Sequence, residues 1–294
     1  MEDELVQEYG PVIGHPDFPD VSELVWISEQ AFLKCSEHVN RVDEIYSTDE
    51  GRVFTILMYH ALNVSYSVRL LTTHAQLLEG HALLRTRLEQ VIKCSYLLHA
   101  DPEDGIIPFM QDVGRVDHGM AQYIERQDSD LYSLFEKIFP EKIEAARERA
   151  VEQEKKIDPE FDPETGTIRE GWTDLNNYAM AEKRDEMVSD DDPISSDKLQ
   201  WYYLGLYKSA CKFIHSGAAC LTKNFISVNE TSSGPQPGPQ PMYLITNLLQ
   251  VTHLDLIQCY EIMKKFDSSG QDEIIDLYKR YKEKVPLEAI LDFG

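Results

Sequence analysis

Three side chains that could act together stand in "HALLRTRLE": His81, Arg85 and Glu89 recur every fourth residue. Residues four apart share one face of a helix. Leu84, Leu88 and Val91 mark the adjoining apolar face, so Arg85 and Glu89 flank the core. A guanidinium and a carboxylate placed there either hold helices in register or face a pocket between helices. Arginine before glutamate is the weaker order for a local ion pair, which predicts a further partner for each.

The second candidate is His215 in "KFIHSG". Projected as one α-helix at about 100° per residue, Leu204, Tyr207, Cys211, His215 and Ala218 share a face, with Lys208 and Lys212 turned to water. His215 is therefore expected to point inward, where a neutral imidazole needs a partner for each ring nitrogen. Satisfied in the core, it is structural; facing a pocket, it is a general acid or base. Cys211, one turn earlier, could pair with the imidazole as an activated thiol, but no third group orients the pair.

Other chemistry is missing. The chain has no G-x-G-x-x-G, G-x-x-x-x-G-K, G-x-S-x-G or H-E-x-x-H, which leaves nucleotide loops, the serine elbow and the zinc-protease pair unsupported. No histidine has glutamate three residues before it, so the Glu-x-x-His pairs of di-iron bundles are absent. No metal and no cofactor is expected. The five cysteines form no C-x-x-C pair, as suits a reducing compartment.

Composition narrows the partners. The 294 residues are 42% hydrophobic, enough for a sizeable core. Lys plus Arg number 28 against 52 Asp plus Glu, a formal charge of −24. Such a surface repels nucleic-acid phosphates and anionic membranes, and no basic block interrupts it. No apolar run is long enough to span a bilayer, and "MEDELVQEYG" lacks the order of a secretion signal. The expectation is a cytoplasmic protein, off the membrane, with a protein partner of unknown identity and a homodimer among the arrangements open to it.

The elements that must position these residues read as helices. Asp20 and Glu23 form a capping box for the first, and Arg52–Leu71 and Leu77–His99 follow. "DPEDG" stops the third. Helical stretches from Ile107 to Gln127 and Asp130 to Lys156 come next, the latter kinked or split at Pro140. After an acidic linker, Trp172 opens a short helix capped by Thr173. A long helix spans about Ser196 to Phe225, "SSGPQPGPQP" is a loop, and helices near Met242–Phe266 and Asp272–Lys284 end the chain. The fold class is all-α: a multi-helix bundle with a C-terminal helical extension. The divisions are an N-terminal arm (1–20), the bundle (21–228), a Pro/Gly-rich loop (229–241) and the extension (242–294). Whether the last helices complete the same bundle or dock another chain stays open.

"LLRTRLEQVIKCSYLL", "GWTDLNNYAMAE" and "YYLGLYKSACKFIHSG" together resemble a helical bacterial family, the domain of unknown function 5677, over roughly residues 21 to 228. The resemblance marks Arg85, Glu89, Trp172, Tyr203 and His215. It departs where the family often has serine, since Gly205 and Tyr207 stand near that point. It implies a shared bundle and polar cluster, with no reaction attached. One expectation is an interaction or regulatory protein, in bacterial stress or phage defence, with an internal Arg85–Glu89–His215 cluster and Trp172, Tyr203, Tyr207 and His81 as binding residues. The alternative, by analogy with HEPN-type bundle ribonucleases, is RNA or phosphate-ester cleavage with His215 as acid or base and Arg85 as phosphate clamp. Against it, no arginine stands with four to six residues between it and His215: that window holds Lys208, Ser209 and Ala210.

Overall fold

The structure, a computed structural model, describes residues 21–41, 48–74, 77–110, 112, 133, 137, 140–166, 168, 172–207, 225–229, 232–235 and 241–284. The chain divides into two compact units, one drawn from Met1–His99 with Asn177–Gly294, the other from Ala100–Asn176.

In the first unit, α1 (Val21–Arg41) buries Leu24, Ile27 and Ala31, as their helical spacing predicts. α2 (Asp49–Thr73) is capped by Thr48, whose Oγ1 accepts a hydrogen bond from Gly51 N at 3.1 Å. α3 (Leu77–His99) buries Leu84, Leu88 and Val91 completely. Gly80 lets α2 and α3 approach closely, because a Cβ there would stand 2.9 Å from Thr72 Oγ1.

The second unit contains α4 (Ile106–Met110) and α5 (Pro140–Ile157). Of the kink or split expected at Pro140, the described residues fit the split: Pro140 opens α5, since the first helical position needs no N–H donor. Phe109 and Trp172 meet edge to face at 5.4 Å. Where the acidic linker is described, it forms turns: Asp158 and Asp162 each accept the backbone N–H two residues on, from Glu160 and Glu164 at 3.0 Å.

Back in the first unit, α6 (Asn177–Met187) begins three residues after the first helical position that a Thr173 cap predicts. Thr173 Oγ1 instead accepts from Leu175 N at 3.1 Å, closing a turn. Of the long helix expected from Ser196 to Phe225, helical structure is described from Leu199 to Tyr207, and residues 208–224 lie outside the described residues. α7 (Leu199–Tyr202) lasts one turn and continues as a π turn, Tyr203–Tyr207. Phe225, placed in that helix by the sequence, lies in β1 (Phe225–Asn229), which pairs antiparallel with β2 (Ser232–Pro235) inside the segment read as a loop.

α8 (Pro241–Phe266) answers the question left open. It lies against α1, α2, α3 and α9 (Gln271–Lys284), so the C-terminal helices complete the same bundle. Every residue from Asn247 to Met263 is buried. A helix enclosed all round is normally apolar. This one carries Asn247, Gln250, His253, Asp255, Gln258 and Glu261 inside, and each carboxylate must find a counter-charge. Among the described residues, no helix is long and apolar enough to cross a membrane.

Candidate functional site

The polar side of α8 is met by three buried arginines, Arg69 from α2, Arg87 from α3 and Arg184 from α6. Asp255 takes two of them. Its Oδ2 accepts from Ser28 Oγ and from Arg69 Nη1 at 3.3 Å, and Arg69 also reaches Ser28 at 2.5 Å. Its Oδ1 accepts from Ser65 Oγ at 2.5 Å and Arg87 Nε at 3.0 Å. Each carboxylate oxygen thus holds one hydroxyl and one guanidinium. Arg87 Nη1 then donates to Gln258 Oε1 at 2.5 Å.

Two turns along, Glu261 takes the third. Arg184 Nε donates to its Oε1 at 3.1 Å, Nη2 donates to the same oxygen, and Ser95 Oγ donates to Oε2. His99 Nε2 stands 3.5 Å from Oε1. Burial pushes the Glu261 carboxyl up, but the Arg184 charge and the His99 and Ser95 hydrogen bonds outweigh it and hold the pKa at about 2. Arg184 Nη1 also donates to Asp185 Oδ1 and to the Asp197 carbonyl, both at 2.9 Å. Asp185 in turn accepts the N–H groups of Leu199 and Gln200 at 3.0 Å, capping α7 from another helix.

His253 fastens the far end of α7. Its Nε2 lies 2.7 Å from Asp197 Oδ2, and its Nδ1 meets the Tyr202 hydroxyl. Burial pushes the Tyr202 phenol well up and lowers His253, opposed by the Asp197 hydrogen bond and charge. Tyr202 therefore stays protonated and donates to Nδ1, leaving the proton on Nε2 for Asp197. Asp197 is pushed up by burial, yet His253, the Tyr278 hydroxyl at 2.5 Å and Lys282 hold it at about 2. An acid–imidazole–hydroxyl row resembles a nucleophile relay. Here the hydroxyl is sealed, at 6% exposure, and its pKa moves the wrong way for attack.

The Cys94 and Cys259 thiols are equally inert. Cys94 and Cys259 are fully buried, and burial drives both pKa values up. Among the described residues, no three His, Cys, Asp or Glu side chains are placed to hold a metal ion.

The residues singled out from the sequence lie elsewhere, at the half-buried edge of α3. Arg85 Nε donates to Glu89 Oε1 at 3.1 Å, and Nη2 donates to the Tyr207 hydroxyl at 2.9 Å. The Arg85 guanidinium stands 4.7 Å from the Tyr207 ring centre, and Tyr207 stacks on Tyr203 at 4.5 Å and 14°. Tyr178 from α6 closes on Tyr203 edge to face at 5.6 Å and donates to Gln200. The second partner expected for Arg85 is thus Tyr207, and the Arg85–Glu89 pair forms despite its weaker order. The π turn changes which residues share a face. Leu204, projected inward on an α-helix, is 53% exposed, and Leu206 takes the core position. His81 is buried, and Trp172 lies in the second unit. His215, Cys211, Lys208 and Lys212 lie outside the described residues.

The sequence reading did not find the buried arginines or their acids. A signal was present: Asp255 and Glu261 are the only carboxylates between Met242 and Phe266. On a solvated helix such acids ordinarily come with lysines on the same face. A family model described as a family of unknown function (DUF5677) matches residues 51–233. No curated protein and no solved structure matches the chain.

Proposed function

The chain belongs to the DUF5677 family, a family of unknown function, and from its own residues we propose that it is an interaction or regulatory protein. It presents the Arg85–Tyr207–Tyr203 platform to a partner. One observation carries this reading. The Arg85 guanidinium of α3, about a quarter exposed, stands over tyrosine rings paired on a π turn, while Asp255, Glu261 and His253 are sealed around α8. Arginine and tyrosine are the side chains on which protein interfaces most depend, and π turns recur at functional positions. The acidic charge supports work in the bacterial cytoplasm away from membranes. The ribonuclease reading draws on the same exposed guanidinium as a phosphate clamp, with His215 as acid or base.

Purified chain incubated with labelled RNA, with and without divalent metal, is expected to leave it intact. Partners captured from lysate are expected to be lost with Arg85→Ala and Tyr203→Ala at unchanged far-UV circular dichroism. RNA cleavage that disappears in both Arg85→Ala and His215→Ala would replace this reading with the ribonuclease one.

A further inference from the structure

We infer that the α6–α7 face beside the platform is a docking surface for a basic protein segment, one that sets Lys or Arg next to an apolar side chain. The inference rests on the interaction reading above and gives that partner its chemistry.

Three large apolar side chains are exposed on this short stretch of fold: Trp201 at 66%, Leu204 at 53% and Met187 at 43%. Trp201 borders a shallow depression of about 310 Å³ with Asp185, Glu186, Lys198 and Gln200. That is small beside pockets that enclose cofactors, and it suits the side chains of a docking protein. Exposed tryptophan beside a carboxylate is a favourable place for a cation: the indole face attracts it and Glu186 neutralises it. The surroundings repeat that charge. Glu182, Glu186, Asp190 and Asp191 are all exposed along the same segment. Lys198 is already committed, its Nζ 2.7 Å from Asp190 Oδ1 and 3.3 Å from the Asp185 carbonyl.

The surface is also held in shape. Asp185 caps α7, Arg184 ties Asp185 to Glu261, and Tyr202 is anchored on His253. Trp201 therefore stands on an element fixed from beneath, which limits the ordering cost of binding. Gln200 bonded to Tyr178, and Tyr178 against Tyr203, connect the depression to the Arg85 platform. An anionic partner is disfavoured by the acids, and a second copy of the chain would bring the same acids against themselves.

The test uses a labelled, helical peptide of about 14 residues built from Leu and Lys, with a Leu/Glu counterpart, followed by fluorescence anisotropy near physiological salt. The intact chain is expected to bind the Lys peptide and not the Glu peptide. Trp201→Ala and Glu186→Lys should each weaken binding by about tenfold, the scale of a desolvated cation–π contact. Glu29→Lys, exposed on α1, which packs against α2, α8 and α9, should change it by less than about twofold, because screening confines charge effects to nearby groups. Equal weakening by Glu29→Lys, or wild-type binding by Trp201→Ala, overturns the inference. So does self-association in sedimentation that Trp201→Ala abolishes, which would assign the face to a second copy. Thermal midpoints matching wild type confirm that the variants fold. Each of these three overturning results leaves the Arg85→Ala and Tyr203→Ala test of the platform independent.

Discussion

Arg87 and Asp255 meet in the centre of the first unit, Nε to Oδ1 at 3.0 Å, with neither side chain exposed. Two positions earlier on α3, Arg85 pairs with Glu89 at a similar distance with about a quarter of each side chain exposed. The two contacts look alike in length and differ in what surrounds them. Removing one partner of a sealed pair leaves a charge with no water to solvate it, whereas an exposed partner falls back on solvent.

Asp255→Asn is therefore expected to destabilise the protein by about 3–5 kcal/mol, on the order of ten degrees in thermal midpoint. Replacing Asp255, Arg69 and Arg87 together by apolar residues of similar size should recover most of the loss. Thermal or denaturant melts of the single and triple variants check this. A single variant as stable as wild type would contradict the sealed ion cluster.

Arg85 and Glu89 should behave otherwise. A double-mutant cycle of Arg85→Met with Glu89→Gln is expected to give a coupling of about 0.3–0.5 kcal/mol, the scale of exposed helical pairs. The same cycle on Arg87 and Gln258, both enclosed, should give a larger coupling.

Acid should act through Glu261. Its folded pKa of about 2 lies below the ordinary 4.5. A depressed carboxyl contributes stability that is fully present above about 4.5 and lost as pH falls toward 2. Asp197, held at about 2 for its own reasons, acts in the same direction. Unfolding free energy measured between those limits should fall less steeply with decreasing pH in Glu261→Gln than in wild type. An unchanged slope would mean that Glu261 is not held ionised in the fold.

His253 predicts an effect nearer neutrality. Burial lowers its pKa below 6.5, so the fold keeps the ring neutral while the unfolded chain takes up a proton. The resulting stability is present above about 6.5 and declines as pH falls through the lowered folded value. Nitrogen chemical shifts followed across pH should show the ring titrating below 6.5, with the neutral form carrying its proton on Nε2, the tautomer dictated by Tyr202 and Asp197. A ring that titrates above 6.5 would refute this assignment.

Gly80→Ala offers a steric check. In an exposed helix the change would be favourable by about 1 kcal/mol. Here the new methyl meets Thr72 Oγ1 at 2.9 Å and Asn247 Nδ2 at 3.5 Å, so a net loss in melting temperature is expected.

The helices were legible because their apolar spacing is regular. Leu24, Ile27 and Ala31, and Leu84, Leu88 and Val91, all fall on the core side. Local turn chemistry was less legible: Thr173 can cap a helix or close a turn, and only the following chain decides. The projection through Leu204 failed because a fixed 100° step does not survive a π turn. The convergence of Arg85 with Glu89 was readable from their spacing; Tyr207, more than 100 residues later, took tertiary structure to place. The ionic core was hidden for a simpler reason. A polar stripe on one helix ordinarily means water, and three arginines on three other helices give no periodic sign that they replace it.

The placement of α8 has a consequence for how this protein comes into being. Ser28 and Asp255, which share one hydrogen bond, are 227 residues apart, and Arg87 precedes its carboxylate by 168. All three arginines lie within the span matched by the family model, whereas Asp255 and Glu261 lie beyond it. During translation the cationic helices emerge first and have nothing to close around. At about 5–20 residues per second, the wait between Arg87 and Asp255 is on the order of 10–30 s. For that interval the nascent chain is a candidate for chaperone binding. A gene fragment cut to the family boundaries would never leave that state.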